Sequence, residues 1–103
     1  PGNMANLMKQ AQKMQKQMAE TTKALEEKTY EATAGGGVVS VTVSGKKEVT
    51  AIKIAEEVVD PDDIEMLEDL IMAATNEAFR AMESDSQAQL SKLTGGLGGG
   101  FGF

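Results

Sequence analysis

From residue 4 to about residue 27 neither glycine nor proline interrupts the chain. Within that stretch Met4, Leu7, Ala11, Met14, Met18, Thr21 and Leu25 recur at alternating spacings of three and four. This is the seam of a heptad pattern, set among good helix formers (Ala, Gln, Met, Lys, Glu), and it predicts one long helix. About 24 residues at ~1.5 Å each give ~36 Å of helix. The segments that follow are short, and strands of about six residues at ~3.3 Å span only ~20 Å. Half of the helix must therefore overhang any sheet these strands can build. Its apolar seam then faces water, a partner chain or a ligand, which is unusual for a monomer. The expectation is a dimer with protruding helical arms.

Three strands are expected next. Thr29–Ala34 alternates weakly, with Tyr30, Ala32 and Ala34 on one face, and Gly35, Gly36 and Gly37 then break the chain. Residues 38–44 (VVSVTVS) are the clearest strand, placing Val39, Val41 and Val43 together. Ser44-Gly45-Lys46-Lys47 reads as a hairpin turn. Residues 48–54 then return with Thr50, Ile52 and Ile54 on the expected core side. Asp60-Pro61-Asp62-Asp63 reads as a helix start, with Asp60 as cap, Pro61 at the first helical position and acids in the first turn complementing the dipole. The second helix is expected over residues 61–84. Its stripe Ile64, Leu67, Ile71, Ala74, Ala78 and Ala81 or Met82 is flanked by Met66, Leu70, Met72 and Phe79, more apolar surface than one buried face needs. Beyond Ser84 the periodicity fades, and GGLGGGFGF at the end has no helix or strand logic. The reading is a single α+β domain over residues 1–84, helix, three-stranded antiparallel sheet, helix, with a flexible glycine-rich tail over residues 85–103.

Charge is segregated along the chain. The first nineteen residues hold three lysines, Lys9, Lys13 and Lys16, and no acid, whereas residues 56–69 hold eight carboxylates and no base. The formal net charge of −6 therefore conceals a basic arm, and a partner binds a face, not a total. Cysteine and histidine are both absent, which removes disulfides, thiolate chemistry, the commonest general base and nearly every zinc or haem site. No run approaches membrane-spanning length and no signal-peptide pattern is visible, so a cytoplasmic location is expected. Pro1 opens the chain with no initiator Met, as expected if preceding residues are processed or missing.

Several chemical motifs fail on inspection. The triple glycine opens no helix and is followed by no Lys-Ser/Thr, so it is a turn between strands and not a phosphate loop. Asp60, Asp62, Asp63 and Glu65 have oxygen ligands suited to calcium, but lack the twelve-residue loop, its central glycine and its closing glutamate; helix capping accounts for them. Neighbouring carboxylates such as Glu68 and Asp69 point to different sides of a helix. No enzyme activity, metal, cofactor, small-molecule substrate or membrane partner is expected.

Two features admit two readings each. The Met-rich seam is either packing against a second subunit or an adaptable surface for another protein. Lys9, Lys13 and Lys16 share one helix face with Lys23 a heptad further on, and such a row opposite an apolar seam is either a plain solvated face or a phosphate-binding one. The absence of any acid before Glu20, the position on the overhanging half, and the neighbouring Gln10, Gln12, Gln15 and Gln17 favour phosphate. Aromatic stacking residues are missing from the arm, which argues against single strands.

The run NLMKQAQ at residues 6–12, the strand pair from GGGVVSVTVSG to AIKI, and VDPDDIEMLEDLIMAATNEAF at residues 59–79 resemble the YbaB/EbfC family of bacterial nucleoid-associated proteins, in order and spacing from about Asn6 to Met82. The resemblance implies a helix, three antiparallel strands and a second long helix that dimerise into a tweezer-like body. It also implies DNA binding and compaction with modest sequence preference through the helical arms. Glu56-Glu57 departs from the acid-Pro pair often found in relatives, and Arg80 is the only base expected on the second helix past its acidic start. DNA contact must then rest mainly on the first helix.

The resulting expectation is a homodimeric, non-enzymatic protein of the nucleoid that binds and compacts or bends duplex DNA. Lys9, Lys13, Lys16 and Lys23 are the candidate phosphate contacts, with Gln10, Gln12 and Gln17 adding hydrogen bonds. Val39, Val41, Leu67, Ile71, Ala74 and Ala78 are the candidate dimer contacts. The competing expectation is a dimeric adaptor whose Met-rich arm binds another protein.

Overall fold

The computed structural model describes residues 2–95. Helix α1 (Gly2–Glu26) leads into strands β1 (Thr29–Ala34), β2 (Val39–Ser44) and β3 (Val49–Ile54). A single 3-10 turn at Glu56–Val58 then precedes helix α2 (Ile64–Thr94). The strands form one antiparallel sheet in the order β1-β2-β3, so the α+β architecture read from the sequence is the observed one. The chain is elongated. Its extents are 75 × 27 × 16 Å and its radius of gyration is 20.0 Å, against about 13 Å for a compact chain of this length.

The core lies between α2 and the first two strands. Opposed residues of antiparallel strands share a face, and the register places Tyr30 against Val43, Ala32 against Val41 and Ala34 against Val39. Onto that face α2 lays Ala74, Ala78 and Met82. The small alanines let the helix approach closely, and Val39, Val41 and Val43 are completely buried, each worth about 2 kcal/mol of apolar burial. Because α2 packs on β1 and β2, the third strand lies at the margin of its cover, and all six β3 residues are exposed.

The expected core set on β3 is corrected by a bulge. Val43 pairs with Val49 and Thr42 with Ala51, so Thr50 is the extra residue, its hydroxyl donating to the Thr42 carbonyl at 3.3 Å. Past the bulge Ile52 lies opposite Val41 and Ile54 opposite Val39. Val49, Ile52 and Ile54 therefore share the core-side face, yet they remain uncovered, and Thr50 is not among them.

The second helix departs from expectation at both ends. Asp63, not Asp60, is its cap, its carboxylate accepting from the Met66 amide at 3.2 Å. Asp60 is instead engaged one turn earlier, accepting from the Asp62 amide at 2.9 Å, so Pro61 sits in a turn. At the other end α2 continues ten residues past Ser84, to Thr94. Inward-facing Asp85, Ser86, Gln89, Leu90 and Leu93 are half-buried; the buried face goes on, but polar residues occupy part of it and the hydrophobic period is lost. Gly95 then stops the helix with a positive φ and an amide bonded to the Ser91 carbonyl at 2.9 Å. Residues 85–94 are thus helix, not flexible tail, and the remainder of the expected tail lies outside the described residues.

Candidate nucleic-acid interface

Only the last turns of α1 are anchored. Leu25 is buried and Met14 and Thr21 are half-buried, while every residue from Asn3 to Lys13 is exposed. Two contacts fix the junction with the sheet. The Gly45 amide of the hairpin turn donates to the Lys28 carbonyl at 3.0 Å. A Cβ at Gly45 would run into the Leu25 carbonyl, so glycine is required for the hairpin to seat under the end of α1.

A polar cluster ties the start of β1 to α2. Asp85 accepts from the Lys28 ammonium at 2.7 Å, from the Tyr30 hydroxyl at 2.6 Å and from the Gln89 amide at 3.3 Å. These donors, Lys28 first, hold the Asp85 carboxyl down at about 2. Burial, and then the bond to Asp85, push the Tyr30 phenol up to about 12. The cluster fixes the arm's root against α2 and is otherwise remote from the lysine row. Sequence reasoning passed over it because its members lie 55 and 57 residues apart.

On the free part of α1, Lys9, Lys13 and Lys16 are exposed. The ion pairs among the described residues are Lys28–Asp85 and Arg80–Glu77, so these three lysines keep uncompensated charge. From Lys9 to Lys16 the row is ~10 Å long, about three phosphate steps of one DNA strand at ~3.4 Å each. At ~100° per residue Gln12 flanks the row on one side and Gln10 and Gln17 on the other, and all three are exposed. Lys23 stands apart. It shares a cleft of about 380 Å³ with Glu26, Glu27 and Lys46, where two carboxylates offset two ammoniums. Lys46 is a neighbour that the sequence did not suggest, brought there by the hairpin.

The second helix offers less to an anion. Arg80 is held by Glu77 at 2.9 Å, and Lys92, which the extended α2 adds to the bases on that helix, lies in its last turn. Among the proposed dimer contacts, Val39, Val41, Ala74 and Ala78 have no exposed surface in a single chain. Their burial inside the protomer core corrects that assignment, because they have nothing left to present to a partner. Leu67 and Ile71 are half-buried at the same interface.

This arrangement, a cationic helix projecting from a small sheet-and-helix body, can be compared with known proteins. The sequence profile of the YbaB/EbfC DNA-binding family matches residues 1–97. The chain belongs to the YbaB/EbfC family. A nucleoid-associated protein of Agathobacter rectalis is 72% identical over 100 residues, covering 97% of this chain and 88% of that protein. One from Lachnoclostridium phytofermentans is 68% identical over 104 residues, covering 99% and 87%. Among solved structures, an uncharacterized protein from Helicobacter pylori superposes with a TM-score of 0.73 at 22% identity, covering 86% of this chain and 94% of that one, which establishes the shared fold. For this YbaB/EbfC chain no described helix is long and apolar enough to cross a membrane.

Proposed function

We propose that this YbaB/EbfC protein is a homodimer of the bacterial nucleoid, in the cytoplasm, that binds duplex DNA through the phosphate backbone and compacts or bends it, without enzymatic activity. The observation that carries the reading is the row Lys9, Lys13 and Lys16 on the overhanging part of α1, which carries no acid before Glu20. Gln10, Gln12 and Gln17 add hydrogen bonds at its flanks, and Lys23 contributes less because Glu26 and Glu27 stand beside it. Contacts of this kind position a protein on DNA with little base information. The eight carboxylates of residues 56–69 keep the body away from DNA.

The homodimer is supported by the apolar surface left uncovered on one chain. Val49, Ile52 and Ile54 on β3, with Val59, Ile64 and Met72, are exposed large hydrophobics, and a second copy is the partner whose burial of them explains their place beside the core. Leu67 and Ile71 border this surface in our reading.

A gel-shift titration across salt tests the DNA reading. Three lysines from each of two arms displace about six counterions, so log K should fall with log salt at a slope near −5, from ~0.9 per phosphate. The Lys9/Lys13/Lys16→Ala triple variant should lose nearly all affinity, equally on unrelated sequences. Wild-type affinity in that variant would overturn the reading and leave the protein-adaptor alternative in its place.

A further inference from the structure

On α1 the apolar seam and the lysine row lie on opposite sides, so an arm that sets its lysines on phosphates turns the seam away from that DNA. Met4, Leu7 and Met8 are 70%, 61% and 62% exposed, and nothing from the same chain covers them. In the heptad that places Met4 and Ala11 at a and Leu7 and Met14 at d, the flanking e and g positions of the free arm are Asn3, Met8, Gln10, Gln15 and Gln17. None is charged. These positions ordinarily carry the Glu and Lys that select partners, and like charges there would keep two such arms apart. Here Lys9 and Lys16 fall at f and Lys13 at c, the outermost positions.

Resting on the DNA-binding reading above, we propose that the free ends of α1 from two DNA-bound molecules pair seam to seam, the occupant of each seam being the same segment of a second copy. With helices ~10 Å across, the lysine rows of such a pair face outward about 20 Å apart. That is more than twice the screening length of ~8 Å at physiological salt, so their mutual repulsion is small. The free seam spans about two turns and buries well below the ~1,200 Å² of a stable interface. The pair therefore forms only where DNA concentrates the protein, and its two outward rows hold two duplexes or two turns of one. The apolar tip thereby supplies cooperativity and bridging, while the lysines supply affinity.

The test uses the full chain with Met4→Gln, Leu7→Gln and Met8→Gln together, three exposed sites where glutamine preserves helix propensity. On a duplex long enough for one molecule, variant and wild type should bind within about two-fold. On a duplex several sites long, wild type should gain affinity per site on the order of tenfold, and the variant should not. In a chain without cysteine, Leu7→Cys should cross-link more as DNA or protein concentration rises, whereas Ala5→Cys on the outer face should not. Undiminished cooperativity in the triple variant overturns the proposal. So does a loss of single-site binding, which would put the seam on DNA or on another protein. A Leu7→Cys cross-link independent of both DNA and dilution also overturns it, placing the pair within one dimer. Should wild type bind neither duplex, the DNA reading fails, and the concentration dependence of the cross-link still decides the pairing.

Discussion

Replacing Ile52 by aspartate should separate the fold of one chain from its association. Ile52 is 47% exposed in a single chain and lies on β3 at the margin of the cover provided by α2. Aspartate there forfeits roughly half of an isoleucine's burial, about 1 kcal/mol, and its carboxylate can stay in water. In a homodimer built on this face the same carboxylate is desolvated without a partner, at about 3 kcal/mol, and a two-fold interface contains two of them. A total of ~6 kcal/mol weakens dimerisation by more than 10⁴. Sedimentation velocity at micromolar concentration should show a wild-type dimer and a variant monomer that keeps its helical circular dichroism. Ala78→Asp, at a site with no exposed surface, should instead abolish the folded spectrum. An Ile52→Asp protein that sediments as wild type would refute the assignment of this face.

Gly45→Ala must displace the hairpin from the end of α1, losing the bond to Lys28 and overpacking the junction. The cost is about 2–4 kcal/mol, and thermal melts should fall by roughly 10 °C or more; a shift of a degree or two would count against the close approach. The Asp85 cluster predicts two pH limbs. A depressed carboxyl stabilises fully above its ordinary pKa of 3.8, and that contribution is lost as pH falls through about 2. A raised phenol stabilises fully below 10.0, and its contribution is lost as pH rises through about 12. Denaturation midpoints of Asp85→Asn should therefore be lower than wild type at pH 7 and should converge with it toward pH 2. Tyr30→Phe should remove the alkaline limb and cost about 1 kcal/mol at neutral pH.

The overhang of α1 was legible because length and periodicity are local quantities, and residues 4–27 carried both. The strands and hairpin were legible from alternation and turn residues for the same reason. What the sequence concealed were choices between equivalent local options. Asp60 and Asp63 are both competent caps, and only the turn that engages Asp60 leaves Asp63 for α2. The continuation to Thr94 was hidden because Asp85 faces inward as an acid, satisfied by Tyr30 of distant β1 and by Lys28 just before it. The bulge at Thr50 puts Val49 on the core-side face in place of Thr50 without any glycine to announce it. Val39, Val41, Ala74 and Ala78 were read as dimer contacts, whereas they are buried within a single chain; which copy of α2 covers an apolar strand is a question of connectivity that periodicity does not encode. The lysine row was visible at once, whereas the offset of Lys23 required Lys46, Glu26 and Glu27 to be seen in one cleft.

The notch at Gly45 makes α1 a lever. Its fulcrum is where the hairpin seats beneath Leu25, and its long arm is the ~32 Å of helix toward Met4. A tilt of about 5° at the fulcrum carries the tip through ~3 Å, close to one base-pair rise along DNA. On the DNA reading proposed above, substitutions in the hairpin, far from any phosphate, change where the lysines land without altering a single charge. Relatives that differ in the turn between β2 and β3 are thereby expected to differ in the spacing of their DNA contacts, even where the arm sequence is the same.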